Sequence, residues 1–250
     1  MYKRWGSEEI LLLKETYPNP SIPVKELIQK LGRTRESIEQ KARKIGLYRR
    51  MNREPDLSMN EDLAYVLGVL KGDGCVGKYK RRGRRNSYDY MIQLNTADET
   101  FALSFARALQ RIGIKSHIDK NRWFHVEARS RKFVEWYRSL FIDDIERLLD
   151  NDRNAIRGFI RGFYESEGIA YVRNKRMKKA AYTETDIHMY NTDLSLVLLV
   201  QRLLLKLGFK FSIRAAMNHN PPYYILSSYS NERAKSFFAE INPCIKLPRR

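Results

Sequence analysis

Two acidic residues occupy equivalent positions in two similar stretches of the chain. Residues 67–74 and residues 161–168 are apolar segments with helical spacing, and each ends in an acid followed by glycine, Asp73 in the first and Glu167 in the second. Carboxylates at the negative ends of two helix dipoles repel each other, and proteins tolerate this mostly when a cation lies between them. The pair therefore predicts a site for a divalent cation with oxygen ligands, and Mg²⁺ fits best.

The helices that carry these acids each have a stripe of small residues. The stripe consists of Ala64, Gly68 and Gly72 in the first helix and of Gly158, Gly162 and Ser166 in the second. Residues four apart lie on the same face of a helix. Small side chains on that face allow two helix backbones to approach closely, so the two helices are predicted to pack together and to bring the two acids side by side.

The chain is strongly basic. Its 250 residues include 47 Lys and Arg against 29 Asp and Glu, which gives a formal net charge of +18. This excess predicts a polyanionic partner, and nucleic acid is the expected one. Because 43% of the residues are hydrophobic, the chain has enough apolar material for folded cores, and more than one domain is expected.

Cysteine usage and hydropathy indicate the cellular compartment in which the protein is expected. Two cysteines, Cys75 and Cys244, and four histidines argue against a disulfide framework and against a structural zinc site. The first residues lack an apolar signal core, and no apolar run is long enough to span a bilayer. We expect a soluble cytoplasmic protein with no membrane partner, in a prokaryotic or archaeal host, with an organelle as the alternative.

The pattern of residues 1–48 predicts three short helices, and the polar character of residues 49–57 predicts a linker. Thr34 is a typical N-cap for the third helix, and Trp5 together with residues 31–38 resembles Myb-like and related helix-turn-helix domains. The basic residues that such a domain would present to DNA are Arg33, Arg35 and Lys41. The alternative is a small helical accessory bundle with a solvated basic face.

The remainder predicts an internal duplication, with a first repeat at residues 58–150 and a second at residues 151–250. The corresponding motifs lie roughly ninety-five residues apart, far more than a solenoid unit. Each half reads αββαββα, because a motif helix, a hairpin, a long apolar helix, two more strands and a closing helix follow in order. The predicted fold class is α+β, with two repeats that each contain antiparallel strands.

Both predicted hairpins carry basic tips. The first tip contains Lys78, Lys80, Arg81, Arg82, Arg84 and Arg85, and the second contains Arg173, Lys175, Arg176, Lys178 and Lys179. Two-stranded ribbons fit the major groove of DNA, where such side chains bind phosphates. The alternative is that the tips are ordinary solvated loops.

The two motifs, the repeat and the basic hairpins together resemble a single-chain, two-motif LAGLIDADG homing endonuclease over residues 58–240. The resemblance implies two motif helices packed on a pseudo-twofold axis and two antiparallel sheets that form a saddle on double-stranded DNA. It also implies a monomer that makes a staggered double-strand cut. Asp73 and Glu167, with the backbone carbonyls of Gly72 and Ser166, would then bind Mg²⁺, for which Mn²⁺ could substitute.

Three further residues are predicted to support catalysis by repeat symmetry. Asn95 and Asn191 each end the second strand of a hairpin, and Gln93 lies two positions before Asn95. Ordering of water or phosphate is one role for them, and capping of strand ends is the other. The first motif departs from the family pattern at Lys71, where the family has an acid.

Two other functions remain open beside an intron-encoded endonuclease that promotes the mobility of its intron. An RNA maturase that binds intron RNA could retain both acids. A DNA-binding regulator on a relic nuclease fold would be free to lose them, and both are present.

Overall fold

The structure is a computed structural model in which the chain forms two compact units, Met1–Glu54 and Pro55–Arg250. It describes residues 5–19, 22, 24–47, 54–81, 87–150, 152–177, 180–217 and 221–248, with the backbone alone at residues 175–177 and 180–181.

The first unit contains the three predicted helices, α1 (Ser7–Thr16), α2 (Val24–Leu31) and α3 (Arg35–Lys44). The Thr34 hydroxyl accepts a hydrogen bond from the Ser37 amide at 3.3 Å, which confirms the predicted cap of α3. The core consists of apolar side chains from all three helices: Leu13, Tyr17, Leu27, Leu31, Ile38 and Ala42. The three helices follow one another as the sequence predicted. The assignment of this unit to the helix-turn-helix class stays a prediction.

The second unit begins within the predicted linker. The Asp56 amide donates to the Ile112 carbonyl at 2.9 Å, and Leu57 packs against the core of the first repeat. Residues 55–57 therefore belong to the packed unit rather than to a free linker.

Both halves of the second unit have the predicted order of elements. The first contains α4 (Glu61–Lys71), β1 (Cys75–Lys80), β2 (Tyr88–Thr96), α5 (Glu99–Arg111), β3 (Ser116–Lys120), β4 (Phe124–Arg129), α6 (Arg131–Ser139) and α7 (Ile142–Leu149). The second contains α8 (Arg153–Glu167), β5 (Gly168–Met177), β6 (Ala180–Asn191), α9 (Leu194–Lys206), β7 (Ser212–Ala216), β8 (Tyr223–Tyr229) and α10 (Asn231–Ile241). The α+β class and the αββαββα repeat are confirmed, and α7 is an additional helix.

Each half builds one antiparallel four-stranded sheet, with the orders β1-β2-β4-β3 and β5-β6-β8-β7. Alternate residues of a strand point to opposite faces. In β2, Ile92 and Leu94 are buried against the helices, and in β6 Ile187 and Met189 are buried in the same way. The opposite face of each sheet, which we call the outer face, carries the intervening residues: Asp89, Met91, Gln93 and Asn95 of β2, and Asp186, His188 and Tyr190 of β6.

The motif helices α4 and α8 pack with their backbones in contact. A Cβ atom on Gly68 would lie 2.2 Å from the Phe159 carbonyl oxygen, and one on Gly162 would lie 2.3 Å from the Tyr65 carbonyl oxygen. Neither position has room for a side chain. The small residues are therefore required by the approach of the two helices, which confirms the predicted packing.

The last segment of each half packs against the other half. Ile145 and Leu149 of α7 belong to the core formed by the second half, whereas Ile245, beyond α10, packs against the core of the first half. The two halves thus exchange their C-terminal segments. No helix in the described ranges has the length and apolar character needed to cross a membrane.

Candidate active site

The packing of α4 on α8 brings the two motif acids together. Gly72 caps α4 and Asp73 follows it, while Glu167 is the last residue of α8. A Cβ atom on Gly72 would lie 2.4 Å from the Cβ atom of Ser166 and 3.0 Å from the Cγ atom of Glu167. The segment that carries Asp73 therefore lies directly against the end of α8.

The two carboxyl groups influence each other electrostatically. Burial, and then the negative charge of Asp73, raise the pKa of Glu167 from 4.5 to about 7, opposed by the Lys246 ammonium and by a hydrogen bond from Asn191. Although Asp73 is exposed, protein atoms on one side of its carboxyl group exclude water and raise its pKa, and Lys246 opposes this shift. The site therefore holds negative charge that is only partly compensated.

These residues fit a hard divalent cation. Within the ranges that the structure describes, no cluster of three or more His, Cys, Asp or Glu side chains could hold a metal ion. A cation between Asp73 and Glu167 would therefore rely on two carboxylates, backbone carbonyl oxygens and water. Mg²⁺ binds in this way, since it keeps several of its waters. The ligand roles of Gly72 and Ser166 remain predictions.

A lysine from the C-terminal segment also belongs to this site. The Lys246 ammonium donates a hydrogen bond to the Ser166 carbonyl oxygen, and its charge acts on both Asp73 and Glu167. Sequence reasoning missed this residue. Residues 242–248 have neither helical nor strand periodicity, so no pattern in the sequence connects this lysine to the motifs.

The symmetry between the two predicted asparagines is not kept. The Asn191 amide donates to Glu167 Oε1 at 3.4 Å, and its own oxygen accepts from the Asp193 backbone amide at 2.9 Å. Asn95 instead bonds to His125, at 2.5 Å between its Oδ1 and the imidazole Nδ1. Asn191 therefore contacts a motif acid and also caps the end of its strand, which is one of the two predicted roles.

Gln93 lies on the outer face of the first sheet. It is partly buried and lies opposite Cys75 on β1 and Glu127 on β4. The catalytic roles of Gln93, Asn95 and Asn191 remain predictions.

A second acid of α8, Glu165, anchors the end of that helix and was not singled out from the sequence. Its side chain is fully buried, with Oε2 accepting from the Tyr65 hydroxyl at 2.5 Å and Oε1 accepting from the Cys244 amide at 2.7 Å. Arg161 forms an ion pair with it at 3.3 Å. Burial and the charge of Glu165 raise the pKa of Tyr65, which keeps its hydroxyl protonated as a donor.

The corresponding residue of the first motif is Lys71. Its ammonium lies 5.2 Å from the Tyr137 ring centroid, and burial lowers its pKa. The two motifs therefore carry side chains of opposite charge at this position.

The basic tip of the first hairpin is described only in part, since Arg82, Arg84 and Arg85 lie outside the described residues. The Lys78 ammonium is 4.4 Å from the Tyr88 ring centroid, on the face that also carries Ile92 and the helices. Lys80 is exposed and shares this face. Arg81 forms an ion pair with Asp89 of the outer face. The described basic residues of this hairpin thus divide between two faces.

The second hairpin holds Arg173 on the outer face. Its guanidinium lies 2.5 Å from the fully buried carboxylate of Asp186 and 5.9 Å from the Tyr229 ring centroid, while its side chain is 45% exposed. His188 stacks on Tyr171 beside this pair. Lys178 and Lys179 lie outside the described residues, as do the side chains of Lys175 and Arg176.

The predicted DNA contacts of the first unit require one correction. Arg33 is only 8% exposed, and its guanidinium bonds to both carboxylate oxygens of Glu9, at 3.0 and 2.8 Å, while lying 4.7 Å from the Trp5 ring centroid. It holds α1 against the loop before α3 and is not available to DNA. Arg35 is exposed and paired with Glu39, and the Lys41 ammonium lies 6.0 Å from the Trp5 ring.

Comparison with known proteins gives relatives for most of the chain. It is 32% identical over 171 residues to the uncharacterized protein MJ0314 of Methanocaldococcus jannaschii, a match that covers 66% of this chain and 61% of that protein. The chain thus spans less than two thirds of that relative. It is 26% identical over 179 residues to the homing endonuclease I-DmoI of Desulfurococcus mucosus, covering 69% of this chain and 83% of the relative.

Solved structures show the same fold. I-DmoI in complex with DNA and Mn matches with a TM-score of 0.53 and 23% identity, over 72% of this chain and 96% of that one. The I-LtrWI homing endonuclease bound to its target DNA matches with a TM-score of 0.50 and 12% identity, over 75% and 86% of the two chains.

The family model of the LAGLIDADG-like domain matches the chain twice, at residues 60–149 and at residues 154–242. Each match begins in or beside one motif helix and extends over one sheet, so the duplication is present in the family pattern as well as in the fold. The chain belongs to the LAGLIDADG-like family.

Proposed function

We propose that the chain is a site-specific homing endonuclease that makes a staggered, metal-dependent double-strand cut in a long asymmetric DNA target. The observation that carries this proposal is the junction of α4 and α8, where Asp73 and Glu167 meet at the ends of two backbone-packed helices. Each acid belongs to one half of a two-fold design, which suits two cuts in two strands. The net charge of +18 and the DNA-bound relatives support a DNA substrate.

In this proposal, Asp73 and Glu167 hold Mg²⁺, or Mn²⁺ in its place, with the carbonyl oxygens of Gly72 and Ser166. When bound, such a cation would supply positive charge against the scissile phosphate and would lower the pKa of attacking water. Asn191 orients the Glu167 carboxylate through its amide, and the buried Glu165 holds the end of α8 in position. Since Glu167 has a pKa of about 7, cation binding requires the loss of its proton.

The outer faces of the two sheets are the proposed DNA surface. Arg173 is held there by Asp186, and Arg81 by Asp89. A positioned guanidinium binds phosphate or a base edge with less loss of conformational freedom than a free one. We further propose that a monomer acts on the target, that an intron encodes it, and that cleavage promotes the mobility of that intron.

The proposal is tested by selecting cleaved sites from a randomised DNA library, with Mg²⁺ and with EDTA. The wild type should cut only with metal, and Asp73→Asn and Glu167→Gln should bind the selected site without cutting it. Asp56→Asn, which changes a carboxylate in the segment that precedes α4, is the matched control and should cut normally. DNA binding without cutting by the wild type would favour a regulator, and metal-independent rescue of intron splicing would favour a maturase.

A further inference from the structure

The segment after α10, residues 242–248, runs back across the junction of the two halves, and we call it the C-terminal strap. The Cys244 amide donates to Glu165 Oε1 at 2.7 Å, and the Tyr164 hydroxyl donates to the Lys246 carbonyl at 2.7 Å. Ile245 packs against the core of the first half. Hydrogen bonds therefore hold the strap at the Cys244 amide, before the Cα atom of Lys246, and at the Lys246 carbonyl group, after it.

The backbone at Lys246 is held in an unusual conformation. Its φ is +59°, in the left-handed region that non-glycine residues rarely adopt. Such a conformation persists only where the surroundings impose it. Here the attachment of the strap directs the lysine side chain toward the ends of α4 and α8.

We propose that the Lys246 ammonium takes the place of the cation at this site when no metal is bound. It then competes with a divalent metal ion for the oxygens of Ser166, Asp73 and Glu167. The inference rests on the proposed metal-dependent function. The ammonium already uses the Ser166 carbonyl oxygen, a proposed metal ligand, and its charge acts on both carboxylates. Two cations at one small set of oxygens repel each other strongly, because the protein on one side screens them less than water does. Metal and ammonium therefore exclude each other.

In a nuclease, this competition would affect both the metal-free site and the affinity for metal. Without metal, the ammonium offsets the repulsion between Asp73 and Glu167 and keeps the helix ends together. Metal binding must move the ammonium off the Ser166 carbonyl, while the backbone bonds of the strap keep it near the site. The protein thus binds metal more weakly than its two carboxylates alone would.

The test measures metal binding directly, without DNA, by following free Mn²⁺ with electron paramagnetic resonance. Lys246→Met should lower the Kd for Mn²⁺ about ten-fold or more, and Lys246→Asn should do the same, since asparagine tolerates the left-handed backbone. Lys246→Arg keeps the charge and should bind Mn²⁺ as the wild type does. The matched control is Lys235→Met, which removes one exposed positive charge from α10 and should leave the Kd unchanged.

The outcomes separate this inference from the proposed function. If the wild type cuts its selected site with Mg²⁺ but the neutral variants bind Mn²⁺ no more tightly than Lys235→Met, the competition is refuted and the nuclease stands. Tighter binding by Lys246→Arg as well would also overturn it, because charge would not be the cause. If no variant binds Mn²⁺ and the wild type does not cut, both proposals fail.

Discussion

Replacement of Glu167 by glutamine should remove one pH-dependent contribution to the stability of the metal-free protein, which acts between about pH 4.5 and pH 7. In the folded protein the pKa of Glu167 is about 7, against an ordinary value of 4.5. The folded state therefore binds this proton more tightly than the unfolded state does. The stability that this contributes is fully present below about pH 4.5 and is lost as the pH rises through about 7.

The size of this loss of stability follows from the pKa shift of Glu167. At about 1.4 kcal/mol per pH unit, the displacement of the Glu167 pKa corresponds to roughly 3 kcal/mol. Because the carboxyl group is partly open to solvent, screening reduces the expected loss to about 1–2 kcal/mol. The contribution of Glu167 to the free energy of unfolding of the second unit should fall by this amount across the pH window.

The assay is urea unfolding in EDTA at a series of pH values. Glu167→Gln should lose about 1–2 kcal/mol less than the wild type over this window, because only the contribution of Glu167 is removed. Glu99→Gln, which changes an exposed glutamate of α5, should keep the slope of the wild type. An equal slope in Glu167→Gln and the wild type would refute the assignment of the raised pKa to Glu167. Saturating Mg²⁺ should reverse the trend, because it binds the ionised carboxylate.

Three further predictions concern the elements around this site. Gly162→Ala should destabilise the second unit by about 2–3 kcal/mol or prevent its folding, since the new Cβ atom meets the Tyr65 carbonyl; urea unfolding would contradict this if the loss were below about 0.5 kcal/mol. Arg33→Met should lower the urea midpoint of the first unit, because it leaves the Glu9 carboxylate without its bidentate partner, and an unchanged midpoint would argue that the pair is not structural. Removal of residues 1–50 should keep the cleavage position but weaken binding or shorten the footprint, and an unaltered footprint would assign the first unit a structural role.

Sequence patterns predicted the parts of the fold that depend on local spacing. The glycines at positions 68 and 162 indicated the packing of α4 on α8, because recurrence every fourth residue is visible in the chain itself. Alternating polarity and turn residues predicted the strands for the same reason. The positions of the two motif acids were visible in the same way, since each acid lies at or just beyond the end of a recognisable helix.

The missed features depend on contacts between distant residues. Lys246 reaches Ser166 across 80 positions, and Arg33 reaches Glu9 across 24, so composition could not distinguish a buried arginine from a surface one. The sequence analysis assigned no element to residues 141–150 and therefore missed α7. Its apolar residues face the core of the other half rather than that of its own.

The exchange of C-terminal segments makes the two halves of the second unit interdependent in folding. Neither half can complete its apolar core alone, because the first lacks Ile245 and the second lacks Ile145 and Leu149. The pair should therefore unfold in a single cooperative transition, even though each half has its own sheet. A break in the chain between the halves, near residue 151, would leave two fragments that reassociate through the exchanged segments rather than two independent domains.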